Sequence, residues 1–264
     1  MKLALTTSTF GKTPFDEALE RISGHGFRAI EITAIPGGPH LDAAKITPQE
    51  VEALRQRLQQ LRLEVVAIMT CPIGPFGEPH YVSYIKRAID LAVALECPDV
   101  LFFSRKPPDM DRYTEAELRS DLTKKMRSIA DYALDKRIHL AFETEPGLFV
   151  ESPRQALEIL AEINHPALGY NLCVPHILSA GENVEDVIEQ GRERIFHTHM
   201  SDLQDRIHRH LIPGLGNVNL ADIVSRLQVI GYQGALSFDL YPYVDTPDEA
   251  AAKTYEYMAR LLGG

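Results

Sequence analysis

Residues 138–163 read IHLAFETEPGLFVESPRQALEILAEI. The stretch opens on an apolar, β-rich run, Ile138–Phe142, and meets an acid at Glu143. It then turns through Pro146 and Gly147 to Ser152-Pro153-Arg154-Gln155. That tetrapeptide is a helix start. The serine hydroxyl caps the first amides, proline at N1 lacks only an N–H the helix cannot use, and an amide at N3 returns the bond. Ala156, Ile159, Leu160 and Ile163 follow at the spacing of one buried helix face. The stretch is one strand–turn–helix unit with a carboxylate at the strand's end.

The same unit recurs along the chain. Further strands are expected at Leu3–Thr6, Ala29–Ile32, Val65–Met69, Val100–Phe103, Leu168–Leu172, Ile195–His199 and Leu236–Leu240, which makes eight in all. The hydroxyl–proline start returns at Thr13-Pro14, Thr47-Pro48 and Thr246-Pro247. Val51, Leu54, Leu58 and Leu61 form a helix face, as do Ile85, Ile89, Val93 and Leu95. Gly26 and Gly231 stand where a helix needs a left-handed terminal residue before a strand. Strands alternating with helices and apolar on both faces imply a parallel sheet, and eight units in 264 residues match an α/β fold, a closed (β/α)8 TIM barrel. An open doubly wound sheet is the alternative, but neither a Gly-x-Gly-x-x-Gly after the first strand nor a Gly-Lys-Ser/Thr loop is present. No Pro/Gly/Ser linker divides the chain, so residues 1–264 are read as a single domain. The turn-rich segment Cys71–His80 is read as a loop on the active face.

Composition narrows the functional classes. Charged residues at 24% and apolar residues at 45% are ordinary for a globular domain able to bury its own core. The net charge of −10 disfavours nucleic acid and an anionic membrane surface as partners. No apolar run reaches the roughly 20 residues of a membrane span, and Met1–Thr7 is too poor in apolar residues for a secretion signal. Cys71, Cys97 and Cys173 are odd in number and far apart, which points to a reducing cytoplasm.

In a parallel barrel the site lies at the carboxyl ends of the strands. Polar residues at those ends are unevenly spread. Strand two ends near Glu31, with His40 in its loop. Strand five ends at Glu143, with Glu145 close behind, and strand six runs through Cys173 to His176. Strand seven carries His197, His199 and Asp202, and strand eight ends at Asp239. Taken singly, a strand-end acid is a cap or an ion-pair partner, His197 and His199 are hydrogen-bonded core residues, and Cys173 is a small hydrophobe. His208 and His210, with Arg206 and Arg209, read as a solvated basic loop. His25 and His165 fall at the opposite end and read as structural. The convergence of Glu143, Cys173 or His176, His199 and Asp239 from neighbouring strands is what a divalent transition metal requires.

Three stretches carry a resemblance: Leu140–Gly147, Gly169–His176 and Ile195–Asp202, supported by Pro213–Leu220 and Gly234–Pro242. Over nearly its full length the chain resembles the xylose isomerase-like barrel superfamily, which includes sugar (phosphate) isomerases and epimerases and the endonuclease IV branch. The resemblance implies one divalent ion, zinc or manganese ahead of magnesium, held by Glu143, Cys173, His199 and Asp239. Cys173 stands where the family has an aspartate, and Asp239 where it has a glutamate. The softer thiolate favours zinc. The resemblance further implies proton transfer through an enediolate by Glu143 and Asp239. His176 would contact the substrate, and Arg206 or Arg209 would hold a hydroxyl or phosphate. Glu145 and His197 would lend second-sphere support.

The expected partner is a small sugar or polyol, with a homo-oligomer open. A polyol or keto-inositol dehydratase would use the same ligands. A lapsed metabolite-binding barrel would follow from the changes at Cys173 and Asp239. An endonuclease-like phosphodiesterase would need more metal ligands and a positive surface.

Overall fold

Capping chemistry sets the helices of the computed structural model, which describes residues 1–76, 80–107 and 109–263. Thr47 and Ser152 each accept from the backbone N–H three residues on, and Glu50 and Gln155 return the bond, completing capping boxes at the starts of α2 (Pro48–Leu61) and α5 (Pro153–Ile163). Two of the expected starts differ. In α1 (Phe15–Gly24) Pro14 takes the cap position and makes no side-chain cap. In α9 (Pro247–Leu262) Thr246 sits at the cap without bonding an amide. The remaining helices among the described residues are α3 (His80–Ala94), α4 (Glu115–Lys136), α6 (Val174–Ser179), α7 (Val184–Gly191) and α8 (Leu220–Val229). Val93 is 44% exposed rather than buried, because a four-residue step drifts about 40° per repeat from Ile85; Ala88 and Ala92 hold the inner face of α3 instead. Gly26 and Gly231 adopt the expected left-handed conformation, at φ +100° and +79°.

The eight strands lie within a residue or two of their expected bounds: β1 (Lys2–Thr6), β2 (Ala29–Thr33), β3 (Glu64–Met69), β4 (Asp99–Phe103), β5 (His139–Glu143), β6 (Leu168–Cys173), β7 (Ile195–His199) and β8 (Ala235–Phe238). Each pairs in parallel with the next, and β1 pairs with β8, closing a single-domain TIM barrel. Along the strands, Leu5, Ile30, Ile32, Phe102, Phe142, Tyr170 and Phe238 point outward into one continuous core shared with the helices. Alternate residues must then face the barrel interior. Those positions are small or polar: Ala4 and Thr6, Ala29 and Glu31, Ala141 and Glu143, Asn171 and Cys173, Ser237 and Asp239. Part of the Cys71–His80 loop, residues 77–79, lies outside the described residues.

Candidate metal centre

Glu143, Cys173 and His199 end three adjacent strands. A register shift between Tyr170 and Asn171 sets Cys173 directly opposite His199. One donor atom from each of the three residues lies within 4.8 Å of the other two, and all three side chains are buried. Glu143 Oε1 stands 3.2 Å from His199 Nδ1 and 3.2 Å from His176 Nδ1. Burial alone would raise the Glu143 carboxyl, but the imidazoles of His199 and His176 outweigh it and hold the group well below the usual carboxylate range. Burial likewise opposes charge on His199, yet Glu31 and Glu143 on either side keep its pKa well above the ordinary value. A carboxylate oxygen, a cysteine sulfur and an imidazole nitrogen converging in a buried site form a donor set suited to zinc. A cation there would compete with the proton that His199 holds.

Asp239 is placed differently. It belongs to none of the close donor groups among the described residues. Its Oδ1 accepts from Thr6 Oγ1 at 3.0 Å and Ser8 Oγ at 2.7 Å, which ties the carboxylate back to β1 and the turn after it. Burial raises its pKa more than His199 and Ser8 lower it.

His176 and His210 form a second constraint. His176 Nδ1 donates to the Thr144 carbonyl at 2.6 Å, and His210 Nδ1 donates to the Asp239 carbonyl at 2.8 Å. Their Nε2 atoms then face each other at 3.1 Å, so one proton must lie between them. Burial, then His176 and His199, push His210 down to about 3. At His176 burial also opposes charge, but Cys173 and Glu143 overcome it and raise the group. The shared proton therefore belongs to His176.

The loop expected to be solvated is thus half internal. His210 is buried and His208 partly so, with His208 beside Glu145 and His176. Arg209, between them, faces solvent, and exposed Arg206 donates to the Gly181 carbonyl. From 208 to 210 the backbone turns the imidazoles in and the Arg209 guanidinium out, and Arg206 is held away in a left-handed turn at φ +57°, so the structure brings neither arginine into the group. His25 and His165 pair with Asp248 and Asp131 before their strands begin.

Sequence reasoning placed Glu31 at a strand end but left it out of the converging group. It is fully buried and reaches across the barrel to His197 Nε2 at 2.9 Å and His199 Nε2 at 3.0 Å. Its position in Ala29-Ile30-Glu31-Ile32-Thr33, on the inward parity of a strand, was the available signal.

A family model described as a xylose isomerase-like TIM barrel matches residues 19–261. A putative hydroxypyruvate isomerase from Danio rerio is 25% identical over 251 residues, covering 88% of this chain and 86% of that protein. A 3-dehydroshikimate dehydratase from Bacillus anthracis is 27% identical over 219 residues, covering 80% of this chain and 75% of that protein. Among solved structures, an IolI protein with a bound zinc atom superimposes with a TM-score of 0.82 at 20% identity, covering 100% of this chain and 98% of that one. An isomerase of unspecified reaction, the class expected from the sequence, is thus a class to which named relatives belong.

Proposed function

Because the chain belongs to the xylose isomerase-like TIM barrel family, we propose that it is a metal-dependent isomerase or epimerase of a small sugar, sugar phosphate or polyol. The observation that carries this reading is the convergence of Glu143, Cys173 and His199 at the ends of three neighbouring strands. Those three residues would hold one divalent ion, zinc ahead of manganese. Bound there, a divalent cation supplies Lewis acidity that lowers the cost of charge developing on a carbonyl and its neighbouring hydroxyl.

The chain's own groups do the rest. Asp239, oriented by the hydroxyls of Thr6 and Ser8 and with its pKa raised by burial, is suited to take a proton from the carbon beside the carbonyl. Glu143 would protonate the other face of that carbon with a proton passed to it from His176, 3.2 Å away, while Asp239 gives up the one it took to solvent. His176 offers the proton it shares with His210 to a substrate oxygen. The three free cysteines fit a reducing, cytoplasmic setting.

A dehydratase would begin with the same proton removal, and a relative of that name makes it the second reading. The test is proton washout in D2O, followed by NMR, with a panel of ketoses, keto-inositols and hydroxypyruvate. An isomerase exchanges the hydrogen next to the carbonyl and returns an isomer, whereas a dehydratase yields an unsaturated product. Glu143→Gln should abolish exchange while leaving the circular dichroism unchanged. Exchange at the wild-type rate in that variant would remove Glu143 from the chemistry. Elemental analysis should give one metal ion per chain, and none would favour a lapsed, ligand-binding barrel.

A further inference from the structure

We propose that Glu31 is the positioning residue of the metal centre, fixing which nitrogen of His199 is free to bind the ion; the proposal rests on the metal reading above. Glu31 lies in the middle of the inward face of β2, with β8 and β1 between it and β7, so its contacts with β7 cross the barrel interior. The carboxylate is fully buried, and the groups that hydrogen-bond it come from two imidazoles and a hydroxyl. His199 Nε2 lies 3.2 and 3.0 Å from its two oxygens, His197 Nε2 2.9 Å from Oε2, and Ser237 Oγ 2.8 Å from Oε2. A carboxylate only accepts, so both Nε2 atoms carry hydrogen. The Nδ1 atom of His199 is thereby the one turned toward Glu143 and Asn171, on the side where Cys173 completes the donor group.

A buried carboxylate is costly unless every oxygen is engaged. Glu31 meets that condition with donors that converge on it from β7 and β8, and the Asp99 carboxylate lies 3.6 Å from the other nitrogen of His197. The arrangement holds the His199 ring at a fixed angle and raises its basicity, as an outer carboxylate does for a metal-bound imidazole.

The test measures metal binding rather than turnover. Metal-free wild type is titrated with Co2+, and the affinity for Zn2+ is obtained by competition with a chromophoric chelator. Glu31→Gln keeps the side chain's shape and should weaken Zn2+ binding about 10–100-fold. At saturation it should keep the near-ultraviolet thiolate-to-cobalt band of Cys173 while shifting the visible d–d bands, because the imidazole is reseated. A purely structural role would lower the melting temperature and leave those d–d bands in place. Should Glu31→Gln fail to fold, Ser237→Ala, which removes one donor from Glu31 and leaves the carboxylate, should weaken Zn2+ binding by a smaller factor. Binding by Glu31→Gln within about threefold of wild type, or unchanged d–d bands, overturns the proposal alone. A wild type that takes up no metal overturns the metal reading and this proposal with it.

Discussion

Asp202 decides whether the loop that carries His208 and His210 stays folded over the site. It lies three residues beyond β7 and is 1% exposed. Oδ1 accepts from the amides of Leu203 at 2.8 Å and Val218 at 3.0 Å. Oδ2 accepts from Gly214 and Gly216, both at 2.9 Å. One carboxylate therefore gathers both ends of the 203–218 segment, and the backbone of Asp202 pairs with Leu211 in both directions. Gly216 has no room for a side chain, since a Cβ there would press into the Leu203 carbonyl and Asp202 itself. In Asp202→Asn one oxygen can serve two of the four amides, and the new NH2 confronts the other two donors. Each hydrogen bond to a charged acceptor is worth about 1.5–3 kcal/mol, and the low end applies because the loop is partly exposed, so the loss is about 3 kcal/mol. At about 2–4 °C per kcal/mol for a chain of this size, the melting temperature should fall by about 6–12 °C. Differential scanning calorimetry reads that change. Amide exchange at Gly214, Gly216 and Val218 should accelerate in step, and proton-exchange activity should fall because His210 loses its seat beside Asp239. A melting temperature within about 2 °C of wild type, with those amides still protected, would refute the anchoring argument.

Other outcomes follow from the same geometry. Cys173→Asp exchanges a soft donor for a hard one, so the ratio of zinc to manganese affinity should drop by about tenfold or more; an unchanged ratio means the sulfur is not a donor. Asp248 joins α9 to α1 through Arg21 and to His25 at 2.8 Å, and the Arg21 hydrogen bond leads in lowering its pKa to about 2. A carboxylate depressed in the folded state stabilises above its unfolded value near 4 and loses that contribution as pH falls through 2. The group is 47% exposed, so the contribution is about 1 kcal/mol after screening. Wild type should exceed Asp248→Asn in urea stability at pH 6, and the gap should close near pH 2. Thr114→Ala removes the capping box with Glu117 at the start of α4 and should cost about 1 kcal/mol, read as a lower urea midpoint at unchanged slope.

Thr114 also shows where the sequence was legible and where it was not. A hydroxyl followed by proline marks Thr47 and Ser152 as helix starts. Thr114-Glu115-Ala116-Glu117 caps equally well without proline and so carries no such mark. Thr13 bears the mark without capping, and its hydroxyl is instead near Arg21, because a proline fixes its own φ and not the position of the first helical turn. The strands were legible because both of their faces are buried and each run is short and β-rich. The carboxyl-end rule brought forward Glu143, Cys173 and His199 for the same reason: a parallel barrel leaves one place for polar strand ends to meet. It could not resolve the loop after β7, where inward His210 and outward Arg209 differ by one residue and only the backbone path settles which is which.

The face of the strand on which a residue stands decides more than how apolar the strand is as a whole. Outward positions pack against helices and are filled by large apolar side chains. Inward positions must fit a narrow cylinder, where three neighbours, Ala67, Leu101 and Ala141, make only a small apolar layer. The rest of the interior holds Glu31, Glu143, His197 and His199, which bond across strands that are not neighbours, with Cys173 beside Glu143 and His199. Such contacts are possible only inside the barrel. A buried acid therefore costs least where an imidazole from another strand can reach it, and each inward acid on β2, β4 and β5 has one: Glu31 with His197 and His199, Asp99 with His197 and His139, Glu143 with His199 and His176. The alternation that closes the barrel thus also fills its interior with paired acids and bases, and the donor group of Glu143, Cys173 and His199 is the carboxyl-end limit of that column.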